Sequence, residues 1–280
     1  MRTLSTKIIA EKVAEICIDS NYHLGSDVLD ALKAGRNQES SATGKVILDQ
    51  ILENARIAEE GNFPLCQDTG LAVFFVEYGQ DVHLIDGSLQ EAINEGVRLG
   101  YAKGFLRKSI VKDPFRRENT GDNTPAVIWT EIVPGDRVKI TVAPKGGGSE
   151  NMSEVAMLKP ADGVEGAKAF IIDKVCRSGG NPCPPIIVGV GIGGTFEKVS
   201  WLAKKSLLRT VGTRNPDPFY ADLERDLLQK INNLGIGPQG LGGKITALDL
   251  FIEVHPCHIA SMPVAVNMQC HAARHKSVVL

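Results

Sequence analysis

The hydrophobic pattern of this 280-residue chain changes its period near residue 60, and this change restricts the folds that the chain can adopt. Before that point apolar residues recur at helical spacing, as in Ile9, Val13 and Ile16. After it, short apolar runs bounded by glycine, proline and asparagine are typical of strands, and they alternate with further helical segments. The sequence therefore predicts an α/β (mixed α+β) fold, with a helical part over 1–60 followed by a mixed β-sheet flanked by helices.

The individual segments follow from the same periodicities. Strands are predicted at 71–79, 125–133, 137–144, 183–194, 245–255 and 262–270, and helices at 88–104, 165–178, 196–208 and 218–235. His83 is expected in an isolated, exposed turn. We find no repeat, low-complexity segment or linker, so a single domain over 1–280 is predicted.

The composition excludes several classes of protein. Lys and Arg number 31 against 33 Asp and Glu, so there is no basic excess for binding nucleic acid. No apolar run approaches the roughly 20 residues that a membrane-spanning helix needs. The first residues do not form a secretion signal. These features predict a cytoplasmic protein that binds neither nucleic acid nor membranes.

Six cysteines, at 17, 66, 176, 183, 257 and 270, include no CxxC pair. Thiols stay reduced in the cytoplasm, so each of these cysteines is either a small buried apolar residue or a ligand. Cys17 lies on the apolar face of a predicted helix, which favours burial. Cys257 lies between His255 and His258, but the HPCH spacing differs from that of zinc fingers, so a zinc site is disfavoured.

Two glycine-rich segments leave alternatives open. Gly189, Gly191 and Gly194 spell G-x-G-x-x-G between a strand and a helix, as in dinucleotide-binding proteins, so an NAD-dependent oxidoreductase is an alternative of another class. An acidic residue that closes the next strand is expected about 20 positions later, but residues 214–219, RNPDPF, predict a turn before a helix. This favours close strand–helix packing as the purpose of these glycines. The run 145–149, KGGGS, can direct backbone N–H groups at an anion.

Six motifs together resemble the alpha subunit of the two-subunit, iron–sulfur (class I) fumarate hydratases, with the L-tartrate dehydratase alpha subunit as a close cousin. The motifs are PLCQDTG (64–70), NTGDNTPA (119–126), KGGGSENMS (145–153), NPCPPIIVGVGIGGT (181–195), GIGPQGLGGK (235–244) and HIASMPVAVNMQCHAARH (258–275). They occur in the family's order and span nearly the whole chain. The last motif looks more like the fumarase branch than the tartrate branch.

The resemblance implies that Cys66, Cys183 and Cys270 hold a [4Fe–4S] cluster. Clusters that only transfer electrons are usually held by four thiolates. Three protein ligands leave one iron open to water or substrate oxygen, and an open metal ion acts as a Lewis acid. The family pattern has no need of Cys257.

The resemblance also implies roles for other residues. Asp68 is the candidate acid/base or water-orienting group, and Arg107 is the candidate carboxylate clamp, with Lys108 as the neighbouring alternative. Arg274 is expected to neutralise charge near the cluster. The remaining substrate-binding candidates are Gln67, His258 and the backbone amides of Gly147 and Gly148.

The activity implied is that of a hydro-lyase, a carbon–oxygen lyase that interconverts fumarate and L-malate in the tricarboxylic acid cycle. L-Tartrate dehydration is the alternative within this class. The resemblance further implies a separate beta subunit that completes the site for a small dicarboxylate. An α2β2 assembly or an α dimer is expected, with little turnover by the alpha chain alone.

Overall fold

The computed structural model describes residues 2–280 and shows a mixed α/β chain, which confirms the predicted fold class. The helices are α1 (Thr6–Tyr22), α2 (Ser26–Gln38), α3 (Ala42–Gly61), α4 (Leu89–Lys103), α5 (Gly147–Glu150), α6 (Gly163–Ser178), α7 (Phe196–Ser206) and α8 (Pro218–Asn232). The strands are β1 (Arg2–Ser5), β2 (Leu71–Gly79), β3 (Val82–Ile85), β4 (Val127–Val133), β5 (Val138–Lys145), β6 (Glu154–Leu158), β7 (Ile186–Gly193), β8 (Ala247–His255), β9 (Met262–Gln269) and β10 (Lys276–Val279). Within residues 2–280, no helix combines the length and the apolar character that crossing a bilayer requires.

The contacts of the chain divide it into two compact units. The first comprises the residues up to Leu24 together with Ala55–Gly147 and Arg274–Leu280. The second comprises Gly25–Asn54 and Gly148–Ala273. Each unit is thus assembled from segments that are distant in the sequence. A single domain over 1–280 stays a prediction.

The first unit is built on a four-stranded sheet of order β10-β5-β2-β4. Strand β2 is parallel to β4 and antiparallel to β5. Ile9 of α1 and Ile93 of α4 pack with Phe74 of β2 and Ile140 of β5 in one core. Because β2 is covered on both faces, its sequence is a nearly continuous apolar run. The segment that contains Cys66 leads directly into this buried strand.

Several short elements were not expected from the sequence. In the first unit β1 pairs with β3 in parallel, and β10 pairs with β5. His83 therefore lies in β3 opposite Thr3, so its placement in an isolated turn was wrong, although its side chain is exposed as expected. A strand of four or five residues is too short to show a recognisable periodicity. Whether such a segment forms a strand depends on its pairing with a neighbouring strand.

The second unit contains a sheet of order β6-β9-β7-β8. The central strand β7 is parallel to β8 and antiparallel to β9. One core joins Ile171 of α6 and Leu227 of α8 to Val188 of β7 and Ile252 of β8. A second, smaller cluster places Val199 and other residues of α7 against β9. Helices therefore cover both faces of β7, which accounts for its apolar sequence.

The glycines of G-x-G-x-x-G let α7 approach β7 closely. Gly189 and Gly191 lie inside β7, not in the turn that follows it, where a phosphate-binding loop would place them. A Cβ at Gly189 would lie 2.2 Å from the Ala203 carbonyl oxygen, and one at Gly191 would lie 2.2 Å from that of Val199. The packing interpretation of these glycines is confirmed.

Gly191→Ala is expected to destabilise the chain by about 3 kcal/mol, the upper part of the range for overpacked cores. The added methyl group would meet backbone atoms of α7, which cannot rotate away. The measurement is the free energy of unfolding in urea. Gly61→Ala is the matched control, because there the nearest atoms belong to the exposed Phe63 ring, which can move. Equal stability of the two variants would contradict the packing argument.

Candidate active site

Cys66 lies in the irregular segment 62–70 that joins α3 to β2, and its side chain is half-buried. The Asp68 N–H donates to the Cys66 Sγ at 3.4 Å. The same sulfur lies 3.4 Å from the Gln67 Oε1, and the Gln67 side chain is exposed. Hydrogen bonds to ligand sulfurs are one of the means by which proteins tune iron–sulfur clusters. The local backbone around Cys66 therefore suits a cluster ligand.

The Asp68 carboxylate is held in one orientation by two backbone amides. Its Oδ2 accepts the Gly147 N–H at 2.7 Å, and its Oδ1 accepts the Gly70 N–H at 3.1 Å. A Cβ at Gly146 would lie 3.1 Å from Oδ2, so the glycine run leaves room for the carboxylate. An ionised carboxylate has about four lone-pair positions, so two remain for a water or a substrate group.

Two buried residues that the sequence analysis did not identify hold the end of this segment. The Tyr101 hydroxyl lies 3.1 Å from the carbonyl oxygens of both Thr69 and Gly70. The Asn123 side chain donates to the Gly70 carbonyl at 3.2 Å and accepts the Ser109 N–H at 2.7 Å. Burial raises the pKa of Tyr101, so its hydroxyl stays protonated and remains a donor. These contacts fix the carbonyls that follow Asp68.

Arg107 lies beside the same segment. Its backbone carbonyl accepts a hydrogen bond from the Thr69 hydroxyl at 3.1 Å, while its side chain is exposed. Lys108, the alternative clamp, has its backbone carbonyl bound by the Asn119 side chain at 3.0 Å. The backbone of the proposed clamp is thus anchored, and the guanidinium is accessible to a carboxylate.

Arg274 is buried, with 3% of its surface exposed. Its Nη2 donates to the Asp68 carbonyl at 2.8 Å and its Nη1 to the Asn21 side chain at 3.1 Å, both neutral acceptors. Its Nε has no hydrogen-bond partner among residues 2–280. A guanidinium stays protonated in proteins, and a buried charge calls for a compensating anion. Arg274 therefore places a buried positive charge, hydrogen-bonded to neutral acceptors, next to the backbone of Asp68.

Cys183 and Cys270 lie at one end of the sheet in the second unit. Cys183 precedes β7 by three residues, Cys270 directly follows β9, and these strands are antiparallel neighbours. The backbones meet where the His271 N–H donates to the Cys183 carbonyl at 3.4 Å. The Gln269 side chain donates to the Cys270 Sγ at 3.7 Å. The structure thus brings two predicted ligands together, 87 positions apart in the chain.

Gly148 and His258 have different positions relative to these cysteines. A Cβ at Gly148 would lie 3.2 Å from the Asn181 carbonyl, so Gly148 approaches the segment that leads to Cys183. His258 is exposed in the loop before β9, whereas Cys270 follows β9. The eight residues of β9 span about 25 Å at the usual strand rise. Within the described chain, His258 and Cys270 therefore lie at opposite ends of β9, and a role of His258 in substrate binding stays a prediction.

The His258 ring is held by its own loop. Its Nδ1 accepts the Ala260 N–H at 3.1 Å. A neutral imidazole whose Nδ1 accepts carries its proton on Nε2, so the exposed His258 ring presents a donor there.

The other three cysteines have different surroundings. Cys17 is fully buried in α1, where burial raises the pKa of its thiol, so its predicted place in the core is confirmed. Cys176 is exposed on α6. Cys257 is exposed, and its thiol donates to the Ser261 carbonyl at 3.3 Å.

The residues present fit an anionic cluster. In the described chain, no group of three or more His, Cys, Asp or Glu side chains could hold a metal ion as the structure stands. The fit rests on the donor set and on charge. Cys66, Cys183 and Cys270 lie in irregular backbone next to strands, two of them with donors on their sulfurs. The unpaired Nε of buried Arg274 behind the Cys66 segment suits a nearby negative charge.

Comparison with known proteins places the chain in a family. Residues 10–279 match the family model described as "Fumarate hydratase (Fumerase)". The chain is 46% identical over 272 residues to "Putative L(+)-tartrate dehydratase subunit alpha" of Methanocaldococcus jannaschii, with 95% of each chain covered. It is 37% identical over 273 residues to proteins named "L(+)-tartrate dehydratase subunit alpha" from Escherichia coli K12 and Shigella sonnei, covering 96% of this chain and 88% of each relative.

The mixed α/β fold, the family match and the relatives together define this chain as a subunit of a hydro-lyase. Hydro-lyases are enzymes that cleave carbon–oxygen bonds. The chain belongs to the fumarate hydratase (Fumerase) family. The resemblance identified from the sequence motifs is confirmed.

Proposed function

We propose that this chain is the alpha subunit of an iron–sulfur hydro-lyase that reversibly hydrates fumarate to L-malate. Cys66, Cys183 and Cys270 would ligate one [4Fe–4S] cluster with an open iron. The observation that carries the proposal is the meeting of Cys183 and Cys270 at adjoining ends of β7 and β9. It is supported by membership of the fumarate hydratase family.

The cluster, when bound, would supply a Lewis acid that polarises a substrate carboxylate and stabilises the departing hydroxide. The chain's own residues bind and orient. Asp68, fixed by two amides, would orient water or exchange a proton at a carboxylate oxygen. Arg107 would grip a substrate carboxylate with two parallel hydrogen bonds, and exposed Gln67 would donate another.

The glycine amides have a shared role in this proposal. The Gly147 N–H is engaged by Asp68, so a substrate carboxylate held there would share or replace that hydrogen bond. Such an exchange would link substrate binding to the orientation of Asp68. Arg274 would hold the Asp68 backbone through its hydrogen bond to the Asp68 carbonyl, and its positive charge would offset negative charge nearby. His258 would contact substrate only in a site completed by a second copy of the chain, because β9 separates it from Cys270.

A partner subunit is part of the proposal. The relatives are named as alpha subunits, which supports a separate beta subunit that completes the site. We propose a cytoplasmic α2β2 assembly or an α dimer, in which the alpha chain alone binds the cluster but turns over little substrate. The names of the same relatives favour a second candidate substrate, L(+)-tartrate.

The two substrates are distinguished by assaying the anaerobically purified two-subunit complex. We expect a higher kcat/KM for fumarate and L-malate than for L(+)-tartrate. Addition of NAD should change neither the activity nor the melting temperature, which separates the proposal from an oxidoreductase. A clear preference for tartrate would overturn the choice of substrate and leave the hydro-lyase class unchanged.

A further inference from the structure

Glu39 is a buried carboxylate that the proposed chemistry does not use. It directly follows α2 and is 2% exposed. Four backbone N–H groups donate to it at 2.8 to 2.9 Å, those of Ser40, Ser41, Lys244 and Ile245. Lys244 and Ile245 lie at the C-terminal end of the glycine-rich loop 235–244. A residue from the helical part of the chain thus holds a loop some 200 positions later.

The charge of Glu39 fits this role. Burial raises the pKa of its carboxyl, but the N–H groups of Lys244, Ser41, Ile245 and Ser40 outweigh burial, and the net pKa is lowered. Glu39 is therefore an anion at neutral pH. A Cβ at Gly243 would lie 2.8 Å from Glu39 Oε2, so glycine is required there. The backbone amides of Lys244 and Ile245 are thus bound by a carboxylate of the chain itself.

The other arm of the loop reaches the backbone beside Cys183. Gln239 has a φ of 53°, which few residues other than glycine and asparagine adopt readily. Its N–H and its Nε2 both donate to the Pro184 carbonyl, at 2.8 and 2.9 Å. A Cβ at Gly240 would lie 2.6 Å from the Gly180 Cα, so the two loops are in direct contact.

Gln239 also contacts the His271 ring, which lies against the backbone carbonyl of Cys183. Its Nε2 is 3.1 Å from the His271 Nδ1, and that Nδ1 is 3.1 Å from the Cys183 carbonyl oxygen. Cys183 itself has a φ of 57°, a strained backbone for a residue with a side chain. Strained conformations persist only where their surroundings enforce them. Gln239 and His271 are the neighbours that enclose this backbone.

We propose that Gln239 is a positioning residue for Cys183, and that Glu39 fixes the loop that presents Gln239. The side-chain amide of Gln239 holds the Pro184 carbonyl and the His271 ring, and so keeps Cys183 in the conformation that a cluster ligand needs. This inference deepens the proposed function and rests on it in one respect, the assignment of Cys183 as a ligand.

Gln239→Gly is the sharpest variant. Glycine adopts the positive φ without strain and keeps the backbone N–H, so only the side-chain amide is lost. In the cluster-free full chain we expect the amides of Cys183 and His271 to exchange hydrogen about fivefold faster or more, since the bonds lost are worth about 1 kcal/mol each. Gln229→Ala, an exposed glutamine on α8 of the same unit, is the matched control.

Glu39→Gln tests the second half of the proposal. We expect faster exchange at the amides of Lys244 and Ile245, and also at Cys183. In the double variant, the effect at Cys183 should be smaller than the sum of the two single effects, because both act through one contact. Glu197→Gln, an exposed glutamate in the first turn of α7, is the control.

The holoprotein gives a separate measurement. After anaerobic reconstitution, the Gln239→Gly cluster should lose iron in air several times faster than that of the wild type, and its electron paramagnetic resonance spectrum should be altered. Wild-type exchange at Cys183 in Gln239→Gly would overturn the proposal. The proposal would also be overturned if, in Glu39→Gln, the amides of Lys244 and Ile245 exchanged faster but the Cys183 amide did not. If the wild type held no cluster, the proposed function would fail, and exchange alone would decide the positioning role.

Discussion

Serine in place of Cys66, Cys183 or Cys270 is expected to give a folded chain that has lost its iron and inorganic sulfide and, with them, its hydro-lyase activity. Each substitution removes one of the three proposed thiolate ligands, and a serine hydroxyl is a poor replacement for a soft sulfur ligand. The measurement is iron and sulfide analysis of anaerobically purified protein, with circular dichroism to confirm folding.

The remaining cysteines are the controls for that experiment. Cys176→Ser and Cys257→Ser change exposed side chains and should leave the iron content at the wild-type level. Cys17→Ser places a hydroxyl in a fully buried site of α1, so we expect a lower melting temperature but a retained cluster. Loss of iron in Cys257→Ser equal to that in Cys270→Ser would mean that the ligand set has been assigned wrongly.

Much of the fold could be predicted from periodicity alone. The helices α1 and α4 and the strands β2 and β7 lie where their apolar patterns place them. These elements bury either one continuous stripe or both faces, and either arrangement leaves a regular signal in the sequence. The pairing of β1 with β3 left no such signal, because a segment of four residues forms a strand only through its hydrogen bonds to the partner strand.

The supporting residues of the site could not be found in the same way. Tyr101 falls on the buried face of α4 and looks like an ordinary core aromatic until its hydroxyl is seen on the carbonyls of Thr69 and Gly70. Glu39 reads as one more polar residue after a helix, although it binds amides 205 and 206 positions away. Asn123 offered a weak signal, since it lies in a motif rich in turn residues, and in the structure it adopts a positive φ of 65°.

The geometry of one motif could not be predicted from the spacing of its residues in the sequence. His258 and Cys270 share the motif HIASMPVAVNMQCHAARH, but their spacing alone does not decide whether the two residues lie close together in space. The eight residues between Met262 and Gln269 form a fully extended strand, so the motif's two ends lie at opposite ends of the sheet. A short spacing in sequence brings side chains together on a helix or in a turn, and a strand separates them.

Asp68→Asn is expected to lower kcat of the two-subunit complex by about 10² to 10⁴-fold, the usual contribution of an acid/base group, with little change in KM. The amide keeps the shape of the carboxylate, but it cannot carry the proton. Its nitrogen also cannot accept one of the two hydrogen bonds that Asp68 receives from Gly147 and Gly70. Iron content should stay at the wild-type level, because the proposed ligand Cys66 receives its hydrogen bond from the Asp68 backbone, which the substitution leaves in place.

The control for Asp68→Asn is Asp217→Asn, which makes the same change where a carboxylate caps the start of α8. Asparagine is as good a cap as aspartate, so neither activity nor stability should change. Steady-state kinetics with fumarate and with L-malate separates the possible roles of Asp68. A rise in KM at unchanged kcat in both directions would assign it to substrate binding alone. Wild-type kinetics would remove it from the mechanism and leave the acid/base group to the partner subunit, since the amides that orient Asp68 would then serve only to fix the Cys66 segment.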